Sequence, residues 1–284
     1  MTAADSTTPW LCALVYRAVP TRSTCGANHD ACSLTLNASK TELIWFGSQS
    51  NLAKLSCTDC TIQVGSSTIQ PSTVVRDLGL HLDSQLSMKQ HVAKVAATCY
   101  YQLRRLRQIR RRVGREVTIC LILATVMSRI DYCNSALAGL PQSTLAPLQR
   151  VQNAAARLVF ELGAREHVTP SLLQLHWLPV RWRIQYKLCC LMHSVSHGNC
   201  PVYLKNMVQS ASASRPQLRQ RLRSTSSNYF TLPQLRSKFG ERAFSHAGPS
   251  AWNSLPDSIR TEPNSAVFRK HLKTHFFCSA FNVC

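Results

Sequence analysis

The side chains best placed to do chemistry in this chain are arginines. Arg104, Arg105, Arg107, Arg111 and Arg112 fall within nine consecutive residues, and Arg115 follows them. At about 100° per residue, Arg104, Arg105, Arg111 and Arg112 share the arc opposite Leu103, Leu106 and Ile109, with Arg107 at its edge. Guanidinium groups along one helix face can contact successive phosphates while the other face packs. A merely solvated face would mix signs, and here only Glu116 lies nearby. Cys189, Cys190, His193, His197 and Cys200 call for a metal test. His193 and His197 are spaced i, i+4, Cys189 lies one turn earlier, and Cys200 follows Gly198, so four ligands could close a tetrahedral zinc site. Cys189 and Cys190 sit among Leu188, Leu191 and Met192, where small core residues are expected, so the reading is that no metal is held. Cys57 and Cys60 form a C-x-x-C without a second pair at finger spacing. Trp177 and Trp252 stand beside Leu and Pro and read as core anchors, while Trp182, between two arginines, could pack or stack on a base. No G-x-S-x-G, glycine-rich phosphate loop or paired carboxylates occur, and no two of the seven aspartates are adjacent. No catalytic residue is assigned.

The distribution of charge narrows the partner. Thirty-three Lys and Arg against thirteen Asp and Glu give a net charge of +20, which implies a polyanion, nucleic acid before an anionic membrane surface. Residues 1–88 carry five basic and six acidic side chains, and residues 89–129 carry ten and one. Residues 130–168 balance at three and three, and residues 169–284 carry fifteen and three. The longest mainly apolar stretch, residues 117–127, is too short to span a bilayer, and no basic region precedes residues 10–15 as in a secretory signal. An intracellular protein, cytoplasmic or nuclear, with its scattered cysteines reduced, is expected.

The periodicities describe the elements that would hold these groups. Residues 41–46 read as a buried strand, residues 61–70 as a hairpin, and residues 76–82, with Leu78, Leu80 and Leu82 alternating, as one strand. Ser87 and Gln90 fit a capping box opening a helix that carries Val92, Val95, Ala96, Cys99, Leu103, Leu106, Ile109 and Val113 inward and stops at Gly114. A second helix is expected over about 115–137, and a third after Thr144, ending at Gly163. Thr169 and Pro170 read as a cap and a first helical residue. Residues 180–197 carry Ile184, Leu188, Leu191 and Val195 on one face, and Pro201 opens a short helix. Residues 209–228 read as a linker or mobile loop, the following part as short strands and turns, and the end as a helix marked by Phe268, Leu272 and Phe276. The expected fold is mainly α with a small β portion (α+β).

Several words of this sequence bear a likeness in their order. L-N-A-S-K-T-E-L-I-W-F-G-S (36–48), V-R-D-L-G-L-H-L-D-S-Q-L-S (75–87), H-W-L-P-V-R-W-R-I-Q-Y-K-L (176–188), F-G-E-R-A-F-S (239–245) and P-S-A-W-N-S-L-P (249–256) resemble the part of non-LTR (LINE-type) retrotransposon reverse transcriptases that follows the active site, in the Jockey and chicken-repeat branch. The likeness covers about residues 31–281. It implies a leader over 1–30, the end of a polymerase palm over 31–86, a helical thumb over 87–168 and a basic C-terminal domain over 169–284. In the family a Y-x-D-D turn precedes this part and holds Mg²⁺ for RNA-directed DNA synthesis; these residues contain no such turn. The resemblance therefore implies a truncated transposable-element polymerase without its catalytic aspartates, binding RNA and DNA as a template–primer-like duplex, with neither a membrane nor a small-molecule substrate. It also places Lys40 where the family carries a palm lysine near the phosphates of an incoming nucleotide. Lys40 joins Arg104, Arg105, Arg107, Arg111, Arg112 and Arg115 as candidate nucleic-acid-binding residues. The alternative is a non-enzymatic basic helical protein derived from the element that binds RNA or another protein.

Overall fold

A computed structural model describes residues 11–15 (backbone only), 38–55, 60–64, 66–163, 165–210, 228–235 and 239–283. It is mostly helical with small antiparallel sheets, the α+β class expected. The chain divides into two compact units, Met1–His91 and Val92–Cys284. Among the described residues no helix is long and apolar enough to cross a membrane.

The first unit holds the strands. β1 (Leu11–Val15) pairs antiparallel with β2 (Glu42–Phe46), Leu11 opposite Phe46. A short helix α1 (Gln49–Leu52) follows, its first turn capped by Ser48. β3 (Ile62–Val64) and β4 (Ser67–Ile69) form the expected hairpin. The single strand expected over 76–82 is instead a second hairpin, β5 (Val74–Asp77) and β6 (Leu80–Asp83). Leu78 and Gly79 make its two-residue turn with φ of +43° and +87°, the doubly left-handed geometry that matches strand twist. Leu78 is accordingly 80% exposed instead of alternating inward.

Among the described residues the strands form three two-stranded sheets. β2 and β5 are nonetheless tied together: the Ser72 amide donates to the Leu43 carbonyl at 2.7 Å, and Ile44, Phe46 and Val75 share a core with Leu82 and Leu86. The capping box is also only half right. Ser87 Oγ accepts from the Lys89 amide at 3.4 Å. The return bond expected from Gln90 is supplied by Asp83, whose carboxylate accepts the Ser87 and Met88 amides, each at 2.9 Å.

The second unit is helical. Helix α2 (Lys89–Ile122) is broken at Gly114, where φ +76° and ψ 177° lie outside the helical region. The helix expected over 115–137 bends through a π turn at Leu123–Met127, resumes as α3 (Ser128–Asp131) and stops at Cys133, whose φ is +50°. A 3₁₀ turn over Asn134–Leu137 follows. Helix α4 (Gln142–Phe160) buries Leu145, Leu148, Val151, Ala155, Leu158 and Val159, the three-and-four spacing of a core face. It starts and ends slightly earlier than expected, closing with Glu161 in the left-handed conformation.

Helix α5 (Thr169–Gln174) begins one residue before the expected start, with Val168 at the cap position. Helix α6 (Val180–Ser196) buries Ile184, Leu188, Cys189, Met192 and Val195, whereas Leu191 is only half-buried. Arg183 on α6 makes a two-bond ion pair with Asp131. Buried Gln152 of α4 donates to the Leu178 carbonyl at 2.8 Å.

After the short α7 (Val202–Asn206) the expected linker lies mostly outside the described residues. The strands expected beyond it are helices: α8 (Phe244–Asn253) and α9 (Asp257–Arg260). Gly248 and Pro249 lie inside α8 and do not end it. A Cβ on Gly248 would come within 2.8 Å of Met192 Sδ, so this glycine serves close helix packing instead of a turn. Helix α10 (Ser265–Phe281) closes the fold and buries Phe268, Leu272 and Phe276 as expected.

Candidate nucleic-acid interface

The core face of α4 dictates what its other face can offer. With Leu148, Val151, Ala155 and Leu158 turned inward, Arg150, Asn153 and Arg157 share a neighbouring face at spacings of three, four and seven. On α2, Val92, Ala96, Cys99, Leu103 and Leu106 are buried, which leaves Tyr100, Arg107 and Arg111 along one side at spacings of seven and four. These two faces enclose a cleft of about 770 Å³ lined by Arg107, Arg110, Arg111, Arg150 and Arg157 against a single carboxylate, Glu161. Tyr100, Asn153, Ala154, Leu158 and Leu162 complete its wall. Five cations converging on one hollow form a strong anion-attracting field.

The five arginines are not equivalent. Arg110 Nε donates to the Leu158 carbonyl at 3.3 Å and Nη2 donates to the Val159 carbonyl at 2.8 Å. Its Nη1 lies 3.7 Å from Glu161, and only 13% of its side chain is exposed. It satisfies carbonyls that the end of α4 leaves without helical partners, and its charge is favourable at a helix C-terminus. Arg110 is thus a structural cation. Arg157 Nη2 donates to the Glu166 carbonyl at 3.1 Å, and its buried Nε has no hydrogen-bond partner among the described residues. Arg107, Arg111 and Arg150 are exposed and available to a ligand.

The sequence candidates separate accordingly. Arg107 and Arg111 belong to the cleft. Arg104, Arg105 and Arg112 are exposed on α2 but are not among the residues lining it. The Arg105 guanidinium lies 5.9 Å from the Tyr101 ring, and Arg115, beyond the Gly114 break, sits over Phe160 at 4.1 Å. Ile109, expected on the core face, is 39% exposed; Arg110 packs inward beside it. Lys40 ends a 3₁₀ turn over Ala38–Lys40 in the first unit and is exposed. Arg110, Arg150 and Arg157 were missed. The signal for Arg150 and Arg157 was their i, i+7 spacing on the helix expected after Thr144.

Within the Cys and His cluster Cys189 and His193 are buried in the core, while Cys190, His197 and Cys200 are half-buried. His193 is stacked between His197 and Phe268, with ring centroids 4.1 Å away on each side. Its Nε2 donates to the Glu262 carbonyl at 2.9 Å, and His197 Nδ1 donates to the His193 carbonyl at 2.9 Å. Burial holds the His193 imidazole below its ordinary pKa, and burial pushes the Cys189 thiol well above its own. Among the described residues no group of three or more His, Cys, Asp or Glu is arranged to hold a metal ion. Cys57 lies outside the described residues. Trp177 and Trp252 are buried, and Trp182 is half-buried with its ring 5.4 Å from that of Phe276. No family model, curated protein or solved structure matches this chain.

Proposed function

We propose that this chain is a nucleic-acid-binding segment of a non-LTR retrotransposon reverse transcriptase, the part following the catalytic turn, and that it binds without catalysing polymerisation. The observation that carries the reading is the cleft between α2 and α4, where five arginines face one carboxylate. In this reading α2, α3 and α4 act as the thumb, and the exposed Arg104, Arg105 and Arg112 extend the positive surface along α2 toward a template–primer-like duplex of RNA or DNA. Two-metal phosphoryl transfer needs clustered carboxylates, and the seven aspartates include no adjacent pair. Such a segment acts inside the cell, in the cytoplasm or nucleus, wherever element RNA and its DNA target meet.

The test is a salt titration of duplex binding by the native chain and by a variant with Arg104, Arg107, Arg111 and Arg150 replaced by Gln, which keeps helix propensity. Counterion release makes log K fall linearly with log salt, and each lost phosphate contact should flatten the slope by about 0.9 on B-DNA. The variant should bind more weakly, with a shallower slope, and to the same degree on unrelated sequences. An unchanged affinity and slope in a folded variant would refute the reading.

A further inference from the structure

We infer that the hollow between α2 and α4 accepts a single strand of nucleic acid, with Tyr100 as the platform on which an unpaired base stacks and Arg107, Arg111 and Arg150 as its phosphate clamp. The inference deepens the proposed function and rests on it. Three observations carry it, beginning with shape. A protein that reads the bases of a duplex inserts a protruding element into a groove, whereas these guanidinium groups line a concavity of about 770 Å³. That volume is in the range that encloses a small ligand. A duplex can lie across such a hollow but cannot enter it; a single strand, one backbone wide and with its bases free to splay, can.

The second observation is composition. Tyr100 is 41% exposed and shares the wall with arginines and Asn153. Alternation of a π-face with cations is the chemistry by which single strands are held irrespective of sequence. Tyr100 is followed by Arg107 and Arg111 on the same face of α2, so base and phosphate sites lie side by side. The third is accessibility: Arg107, Arg111 and Arg150 line the hollow with their side chains exposed. Glu161 does not neutralise this set, because Arg110 lies against it.

The experiment compares a labelled 12-nucleotide single strand with the blunt duplex of the same sequence, by fluorescence anisotropy on the full chain at one salt concentration. The native protein should bind the single strand more tightly. Tyr100→Leu should weaken single-strand binding about 5- to 100-fold, the range for one base–aromatic stack, and duplex binding less than about twofold. Tyr100→Phe, which keeps the π-face, should restore it. The double variant Arg107→Gln with Arg150→Gln should also cost the single strand more than the duplex, and Arg104→Gln with Arg112→Gln should weaken both alike. Equal losses on both ligands for the Tyr100 and clamp variants, or no loss on either, would overturn the inference while leaving the nucleic-acid reading in place. Failure of the native chain to bind either ligand would overturn both.

Discussion

Replacing Arg110 should cost folding stability far out of proportion to its neighbours, while leaving the salt dependence of binding almost unchanged. Its two hydrogen bonds, at 2.8 Å to the Val159 carbonyl and 3.3 Å to the Leu158 carbonyl, come from an ionised donor. Bonds of this kind contribute about 1.5–3 kcal/mol each, the longer one at the low end. The Glu161 contact adds little, because that carboxylate is 57% exposed and 3.7 Å away. Arg110→Met keeps the aliphatic stem in place but removes both donors. It leaves the carbonyl of Val159, a residue with no exposed surface, without this partner. The expected loss is about 3–4.5 kcal/mol, or roughly 6–18 °C in melting temperature for a unit of this size. Arg110→Lys retains the charge but cannot fork to two carbonyls, so about half the loss should remain. Arg111→Met, one residue along and exposed, should stay within about 0.5 kcal/mol. Urea unfolding of the four proteins, followed by circular dichroism, decides the matter. If Arg110→Met unfolds at the native midpoint, or Arg110→Lys is indistinguishable from native, the guanidinium fork is not what closes α4.

Two further outcomes follow from the backbone and the buried imidazoles. Gly114→Ala meets no atom within 4 Å, yet its φ of +76° with ψ 177° is a glycine region; a loss of about 1–3 kcal/mol is expected from backbone strain alone, and a stabilised variant would show that packing does not impose the break. Burial lowers the pKa of His193, with smaller contributions in both directions from Glu262, His197 and Arg269, and burial and His81 lower that of His91. Below about pH 6.5 the unfolded chain therefore takes up protons that the folded chain refuses. Stability should be full above that pH and fall as pH drops toward 5, by up to about 1.4 kcal/mol per pH unit for each such histidine. His193→Phe should remove one histidine's share of that slope; urea midpoints at pH 7.5 and 5.0 that fall equally in both proteins would contradict it.

Local patterns were readable where local physics decides the outcome. The buried run at 42–46, the Gly114 break and the core faces of α4 and α10 follow from periodicity and glycine placement. Two readings failed because one signal has two uses. Leu78 was assigned to a strand because leucines alternate across 78–82, but Asp77-Leu78-Gly79 carries the glycine that a two-residue hairpin turn requires. The part after residue 228 reads as short strands and turns, yet its Gly248 lies inside a helix and allows α8 to approach Met192. Which use holds depends on a partner nearly sixty residues away in sequence, and period and propensity do not report that distance.

The site followed the same division. A helical wheel separates the polar arc of α2 from its apolar arc, so Arg107 and Arg111 were within reach of sequence reasoning. It cannot rank arginines by what they are bonded to. Arg110 stands in the same run and differs from Arg111 only in having two α4 carbonyls in front of it. Charge counting concealed the opposite wall for a related reason. Residues 130–168 balance at three basic and three acidic side chains, which suggests a neutral segment. Yet Asp131 pairs with Arg183, Glu161 with Arg110, and the Glu166 carboxylate accepts the Gly163 amide. Asp131 is paired outside the cleft, and Glu161 faces five arginines inside it, so Arg150 and Arg157 leave the cleft strongly positive. Neutrality in sequence therefore coexists with a strongly positive hollow, because electrostatic compensation is set by distance in space and not by position in the chain.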